Sequence, residues 1–235
     1  MLSTSVPWND EFVPIEPDLL WTGLAVEVAP RRPLSRARIV AAAAAVADAE
    51  GLDAVSMPRL ARELGTAPMS LYRHVPHKDA LVDLMLDAAI GPAPADARGS
   101  WRERLAAWAR ENLGVFRRHP WTLPLVTAAR RMGPQECAWG ESALRVLADA
   151  GLAPSDRGSV LQLVNGYVRG AAVPVADRAP DPAAIERSGR AGELPLMLAL
   201  LAAPQQGPGA DDGAFEFGLA RVLDGVEAHF GLHAT

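Results

Sequence analysis

The sequence predicts an all-α protein in which an N-terminal three-helix unit precedes a larger C-terminal helical bundle. Apolar residues recur at spacings of three and four over most of the chain after residue 35, as they do in helices with one buried face. Serines that can cap helix N-termini stand before several of these stretches, and glycines follow them. A turn at Gly65 separates two of the stretches, which indicates short, closely packed helices.

The first two helices are delimited by capping residues. Ser35 is expected to cap a helix that ends at Gly51, and Ser56 is expected to begin a second helix. The apolar positions of the two helices are Ile39, Val40, Ala43 and Val46, then Leu60, Ala61 and Leu64. Each helix therefore turns an apolar stripe towards a shared core.

A third, very short helix follows the turn. Gly65 can adopt the left-handed conformation that ends the second helix, and Pro68 falls in the first turn of the third, which is predicted to reach His74. At about 1.5 Å per residue this helix is about 10 Å long, and the major groove of DNA is about 12 Å wide. The pattern therefore predicts a helix-turn-helix unit whose third helix enters double-stranded DNA.

The charge distribution agrees with a local DNA-binding surface. The chain carries a net charge of −5, which argues against a protein that coats DNA over its whole surface. The net charge is −5 over residues 1–30, +4 over 31–78 and −4 over the remainder. The only positive segment is the one with the helix-turn-helix pattern, as phosphate binding requires.

The rest of the chain is predicted to be helical as well. A capping box of Ser100 and Glu103 opens a helix that His119-Pro120 closes, and Gly91-Pro92 ends the helix before it. The other expected helices cover 78–90, 121–132, 135–150, 155–172, 182–201 and 215–230, with a surface loop over 204–213.

Residues 35–90 resemble the DNA-binding domain of the tetracycline-repressor (TetR/AcrR) family of bacterial transcriptional regulators. The segments that carry the resemblance are Ile39–Ala42, Ala49–Leu52, Leu60–Gly65, Ser70–Val75 and Lys78–Leu81. The resemblance implies a helix-turn-helix domain over 35–78, followed over 79–235 by a connecting helix and a ligand-binding and dimerisation domain. The chain is expected to be of an actinobacterial type with an N-terminal extension over 1–34.

The resemblance also implies DNA contacts. It puts Ser56 and Met57 near a phosphate, and it assigns phosphate contacts to Tyr72, His74 and Lys78, whose donors fix register without reading sequence. Arg73 is the candidate for reading a base, because a guanidinium can donate twice to guanine. The recognition helix and its entry comprise Thr66, Pro68, Met69, Ser70, Tyr72, Arg73 and His74.

Two further arginines precede the first helix. Arg31 and Arg32 are predicted to reach into the minor groove beside the recognition helix, as the arms of other helix-turn-helix proteins do. A solvated basic hinge is the alternative interpretation of this pair.

The expected ligand is a small hydrophobic or aromatic effector. Its pocket walls are predicted to come from Trp108, Phe116, Trp121, Trp139 and Tyr167. Asn112 and Asn165 each interrupt an apolar stripe, where an unpaired amide is costly, so either is a candidate hydrogen-bonding group for the effector. Ordinary core packing of the aromatic residues and local bonding of the amides are the alternatives.

The resemblance implies a homodimer held by a four-helix bundle. The helices over 156–172 and 215–230 are expected to form it, and Gly166, Gly170, Gly218 and Gly225 would allow close approach. Packing of these glycines within one subunit is the alternative.

Other function classes find little support. The sequence contains no nucleophile elbow, Walker loop or His-Glu-x-x-His motif, so no catalytic residue, metal or cofactor is expected. No membrane span or signal peptide is apparent, and the one cysteine, Cys137, fits a reducing cytoplasm. We therefore expect a ligand-responsive repressor whose fourth helix, 78–90, swings when the effector binds. A ligand-binding helical protein without DNA-binding activity is the alternative.

Overall fold

The computed structural model describes residues 34–173, 180–203 and 210–232, except for the side chains of residues 210 and 211. Within these ranges the chain forms helices and no strands, which confirms the all-α fold class. The α-helices are α1 (Arg36–Glu50), α2 (Met57–Leu64), α3 (Pro68–Tyr72), α4 (Lys78–Ile90), α5 (Trp101–Arg118), α6 (Thr122–Thr127), α7 (Pro134–Asp149), α8 (Pro154–Ala172), α9 (Pro182–Arg187), α10 (Pro195–Ala202) and α11 (Ala210–Phe230). Short 3₁₀ helices cover Leu52–Ala54 and Ala191–Glu193.

The chain packs as two compact units. Of the described residues, the first unit contains those up to Ala95 together with Val115–Ser142, and the second contains Asp96–Gly114 together with those from Ala143 onwards. Helices α5 and α7 each contribute residues to both units. The domain limits expected from the sequence remain a prediction, but in the Cα packing α4 groups with the helix-turn-helix.

The first unit is built on caps that the sequence predicts. The Ser35 hydroxyl accepts a hydrogen bond from the backbone N–H of Arg38, and Ser56 accepts one from Arg59 N–H. Gly65 has φ 64° and ends α2 in the left-handed conformation. These caps direct α1 to α4 around one core, in which the fully buried side chains include Ile39, Leu60, Leu71, Leu81 and Met85.

Three of the expected helices differ from those in the structure. Helix α3 ends at Tyr72 rather than His74, because Val75 precedes Pro76 and such a residue disfavours helical geometry. The helix expected over 121–132 ends at Thr127, whose hydroxyl bonds the carbonyls of Leu123 and Pro124. The stretch 182–201 divides into two helices, because Gly189 has φ 74° and Pro195 starts the second.

The last helix begins earlier than the sequence indicates. Residues 210–213 were expected in a loop but belong to α11, which starts at Ala210 rather than at Phe215. Asp212 in this first turn suits the positive end of the helix dipole. The remaining part of the expected loop, 204–209, lies outside the described residues.

The second unit combines an apolar core with ion pairs between helices. Its core joins α5, α7, α8 and α11 through buried residues that include Leu105, Leu147, Val164, Leu219 and Leu223. Around this core, Arg102 pairs with Asp224 and Glu227, and Arg110 donates to Glu216 at 2.7 Å. The expected capping box is present, since the Ser100 backbone N–H donates to Glu103 at 2.8 Å. None of the helices described above is long and apolar enough to span a membrane.

Candidate DNA-binding surface and effector site

Helix α3 has one buried side and one exposed side. Leu71 is fully buried in the core of the first unit, which fixes the rotation of the helix. Met69 and Tyr72 are 74% and 43% exposed, and Pro68 and Arg73 are also exposed. Thr66, Ser70, His74 and Lys78 are half-buried. Of the residues predicted for the recognition helix, Pro68, Met69, Tyr72 and Arg73 are therefore the exposed ones.

The two residues predicted at the start of α2 differ in what they offer DNA. Ser56 is exposed, but its hydroxyl accepts the backbone N–H of Arg59 at 3.4 Å. Met57 is buried in the core, so only its backbone N–H, at the start of α2, is available to a phosphate. Arg31 and Arg32 lie outside the described residues.

Several charged groups of this unit hold the helices together. Arg59 donates to Glu50 at 2.7 Å and to Glu63 at 2.8 Å, and these bonds lower the pKa of Glu50 and raise that of Arg59. Arg59 is thus a structural residue of α2. By contrast, the guanidinium of Arg73 bonds only weakly to the Ser70 hydroxyl, at 3.3 Å on the exposed face of α3. Arg73 therefore keeps the freedom to reach a base edge.

The segment that follows α3 is hydrogen-bonded to a residue that the sequence analysis did not single out. The Nε–H of Arg36, in the first turn of α1, donates to the carbonyl oxygen of His74 at 3.3 Å. The contact spans 38 positions of sequence, so no local pattern indicates it. Next to it, His77 accepts the backbone N–H of Ala80 through Nδ1 at 3.1 Å and caps α4, which positions Lys78 at the start of that helix.

The residues predicted for the effector site are divided between the two units. Phe116, Trp121 and Trp139 belong to the first unit, and Trp108, Asn112, Asn165 and Tyr167 belong to the second. The indole N–H of Trp121 donates to Asp48 at 2.6 Å, and that of Trp139 donates to the carbonyl of Gly91 at 3.0 Å. Both tryptophans are buried and hydrogen-bonded within the first unit, which is the alternative interpretation given to the aromatic residues.

The two predicted amides of the second unit meet. Asn112 on α5 donates from Nδ2 to Oδ1 of Asn165 on α8, at a distance of 3.0 Å. Both side chains are half-buried, and the buried Trp108 lies one helical turn before Asn112 on α5. The two amides thus form a single hydrogen-bonded polar pair between the apolar sides of α5 and α8.

Tyr167 packs against α11. Its hydroxyl donates to the carbonyl of Phe215 at 2.8 Å, and its ring stacks on that of Phe215 with centroids 5.5 Å apart. Burial raises the pKa of Tyr167 above its ordinary value. A Cβ at Gly218 would overlap the Tyr167 ring, so this glycine serves packing within one subunit. Gly166, Gly170 and Gly225 have no neighbouring atom within 4 Å of such a Cβ.

One further tryptophan, Trp101, is not among the residues predicted for the site. Trp101, in the first turn of α5, is buried, and its indole N–H has no hydrogen-bond partner among the residues that the structure describes. No group of three or more His, Cys, Asp or Glu side chains capable of holding a metal occurs in the same ranges.

Two family models match successive stretches of the chain. The model of the bacterial regulatory proteins of the tetR family matches residues 39–85, and that of the tetracyclin repressor-like C-terminal domain matches residues 93–230. The chain belongs to the tetracycline-repressor family. It is therefore a ligand-responsive, DNA-binding transcriptional repressor, and its family consists of transcriptional regulators.

Individual members of the family resemble this TetR-family chain over most of its length. The transcriptional repressor DrrR1 of Streptomyces coeruleorubidus is 40% identical over 230 residues, covering 89% of this chain and 84% of the relative. ActR of Streptomyces coelicolor, solved in complex with actinorhodin, is 29% identical with a TM-score of 0.67 and covers 84% of this chain and 99% of its own. BioQ, solved with its natural double-stranded DNA operator, is 25% identical with a TM-score of 0.59 and covers 84% and 100%; BioQ of Mycobacterium smegmatis also matches.

Proposed function

We propose that this TetR-family repressor acts as a homodimer that binds a near-palindromic operator through α3 and leaves it when a hydrophobic, ring-containing effector binds. The observation that carries the proposal is the two-sided character of α3. Leu71 anchors the helix in the core while Met69, Tyr72 and Arg73 stay accessible. Two such helices in a dimer would read half-sites about 34 to 36 Å apart, or somewhat more.

The exposed groups divide into positioning and reading roles. Tyr72, His74 and Lys78 donate to phosphates and set the register of the helix, whereas Arg73 reads a guanine. Met69 and Pro68 offer only apolar surface, which suits a thymine methyl group. Thr66 and Ser70 contribute hydroxyls at the margins, and Ser56 and Met57 contribute the start of α2. Arg31 and Arg32 extend the contact into the minor groove.

The effector is proposed to bind in the second unit. Trp108 offers an apolar wall, and the Asn112–Asn165 pair offers an amide that can exchange its internal hydrogen bond for one to the ligand. The likeness to ActR, which has been solved in complex with actinorhodin, supports a small-molecule effector. Tyr167 serves the site indirectly, by joining α8 to α11. Phe116, Trp121 and Trp139 remain predicted wall residues; they belong to the first unit, so they are not part of the site proposed within the second.

The homodimer is proposed to form through α8 and α11. Leu163 on α8 is 50% exposed and Phe217 on α11 is 67% exposed, although both are large apolar side chains. Gly166 and Gly170 continue the accessible face of α8, and Gly225 continues that of α11. A four-helix bundle between two copies would bury these residues, as small residues allow close helix packing.

We further propose that the protein has no catalytic activity and acts in the cytoplasm, where bacterial DNA lies. Release of the operator requires that the effector prefer the conformation whose recognition helices no longer match the half-site spacing. A swing of α4, which follows the recognition helix, would change that spacing.

Fluorescence anisotropy with labelled intergenic DNA from beside the gene tests the proposal. We expect specific binding relative to scrambled DNA at 50 to 200 mM salt, and release when actinorhodin is added as the first probe effector. The Tyr72→Ala and Lys78→Ala variants should bind at least about tenfold more weakly, whereas Arg187→Ala, an exposed arginine of α9, should not. Equal affinity for specific and scrambled DNA, from this region and from genome-wide selection, would contradict DNA recognition by α3.

A further inference from the structure

Three side chains join the end of α1 to the corner that follows α5. In the first unit, Oδ1 of Asp48 accepts the indole N–H of Trp121 at 2.6 Å and lies 2.8 Å from Nδ1 of His119. The two rings meet edge to face, with centroids 6.1 Å apart. Trp121 is buried among the core residues of α1 to α4, so its indole is fixed by packing as well as by hydrogen bonding. We refer to Asp48, His119 and Trp121 as the α1 latch.

The corner itself is held together internally. His119 follows Arg118, the last residue of α5, and its carbonyl accepts the hydroxyl of Thr122 at 2.6 Å. Thr122 is fully buried and starts α6. No residue lies between the last turn of α5 and His119 of the α1 latch.

The opposite end of α1 holds the exit of the recognition helix. Arg36 donates to the carbonyl of His74, two residues after the end of α3. Arg36 and Asp48 are twelve positions apart on one uninterrupted helix, a separation of about 18 Å. Helix α1 thus contacts the corner after α5 through one end and the exit of α3 through the other.

We infer that α1 transmits the effector signal to the recognition helix, with Asp48 as the positioning residue that links it to α5. The inference rests on the proposed function and adds a route to it. Helix α5 supplies Asn112 and Trp108 to the second unit and ends at the α1 latch in the first. A shift of α5 then displaces α1. Because Arg36 of α1 is hydrogen-bonded to the carbonyl of His74, the segment that follows α3 is displaced as well. The shift requires two arrangements with different affinities for DNA.

Thermodynamic reciprocity allows a test without a known effector. If the arrangement of α5 influences DNA binding by α3 through α1, then DNA bound to α3 must shift the equilibrium between the two arrangements of α5 by the same coupling free energy. The probe is a duplex that the wild-type protein selects from random DNA, and the readout is amide hydrogen exchange of residues 105–118 in the intact dimer. We expect the duplex to slow exchange there at least about threefold in the wild type.

Two variants remove the α1 latch and one matched variant leaves it intact. Asp48→Ala removes the acceptor of both bonds from a partly exposed position, and Trp121→Phe removes the indole donor but keeps a buried ring. Glu50→Ala, two residues further along α1, breaks only the pair with Arg59 of α2. We expect Asp48→Ala and Trp121→Phe to lose the response of 105–118 while they still bind the duplex, and Glu50→Ala to keep it.

The outcomes separate the inference from the proposed function. If both latch variants respond like the wild type, or if the bound wild type does not respond, α1 does not transmit the signal and the inference is wrong. If the wild type selects no duplex, the proposed function fails and the inference fails with it. If Asp48→Ala proves unfolded by circular dichroism, Trp121→Phe decides the matter.

Discussion

The Nδ2 of Asn112 donates to Oδ1 of Asn165 across 53 positions of sequence, at a distance of 3.0 Å. Each amide alone would be a costly polar group in an apolar stripe. Because the two amides bond to each other, they form one satisfied contact between α5 and α8. An internal hydrogen bond of this kind is also one that a ligand can exchange for its own.

Removal of either amide should destabilise the second unit. We expect Asn112→Ala and Asn165→Ala each to lower the free energy of unfolding by about 1 kcal/mol, because the remaining amide loses its partner. The double variant should cost less than the sum of the single variants, with a coupling of about 1 kcal/mol. Urea unfolding followed by circular dichroism measures all three. Strict additivity would indicate that the two amides do not interact.

Introduction of a methyl group at Gly218 should disturb the contact with Tyr167. A Cβ at this position meets the phenol ring, so Gly218→Ala should lower the free energy of unfolding by about 1 to 3 kcal/mol. Gly213→Ala, on the same helix but with no atom within 4 Å, is the matched control and should not destabilise the protein. If Tyr167→Leu does not relieve the cost of Gly218→Ala, the clash is not its source.

The sequence predicts the helix caps of this fold, but not the contacts that join distant side chains. The limits of α1 and α2 follow from Ser35, Gly51, Ser56 and Gly65, because caps act over one helical turn. The hydrogen-bond partner of Trp121 could not be predicted, because an aromatic residue in an apolar pattern does not reveal its partner. That partner, Asp48, lies 73 positions earlier, and only the folded chain brings the two together.

Arg73 and Lys78 should affect DNA binding in different ways. Arg73→Ala should reduce discrimination against a changed half-site by about 1 to 3 kcal/mol, since it removes a base contact. Lys78→Ala should weaken binding to all sequences. It should also reduce the slope of the logarithm of the binding constant against the logarithm of the salt concentration by about one. A panel of single-base operator variants, titrated at several salt concentrations, measures both effects. The assignment would be wrong if Arg73→Ala weakened every sequence equally.

The accessible apolar face of α8 and α11 should control dimerisation. Phe217→Asp is expected to raise the dimer dissociation constant by about 30-fold or more, as loss of a buried aromatic anchor costs about 2 kcal/mol or more. Leu196→Asp, which alters another exposed apolar residue on α10, is the control. Analytical ultracentrifugation measures the mass of each variant. An unchanged dimer in Phe217→Asp would exclude this face as the interface.

Two carboxyl groups of α4 should make stability depend on pH. Burial raises the pKa of Asp83 and of Asp87 above their ordinary values, against an opposing effect of Arg130. The folded state thus binds protons more tightly than the unfolded state, so the contribution of these groups is greatest below their unfolded pKa values. It is lost as pH rises through the folded values.

Replacement of Asp83 tests the direction of this pH dependence of stability. Asp83→Asn removes a charge that burial disfavours, so the variant should melt at a higher temperature than the wild type at pH 7, and the difference should shrink as the pH falls towards 4. Differential scanning calorimetry across this range measures it. A variant less stable than the wild type at pH 7 would mean that the attraction to Arg130 outweighs the burial of the charge.

The measurement that tests the central claim most directly is selection of binding sites from random duplex DNA by the purified protein, followed by determination of the number of chains bound per site. The account predicts a near-palindromic site whose half-sites lie about one helical turn or somewhat more apart, bound by two chains. Enrichment of a single unrepeated site, or failure to enrich any sequence, would contradict a dimer that reads DNA through two copies of α3.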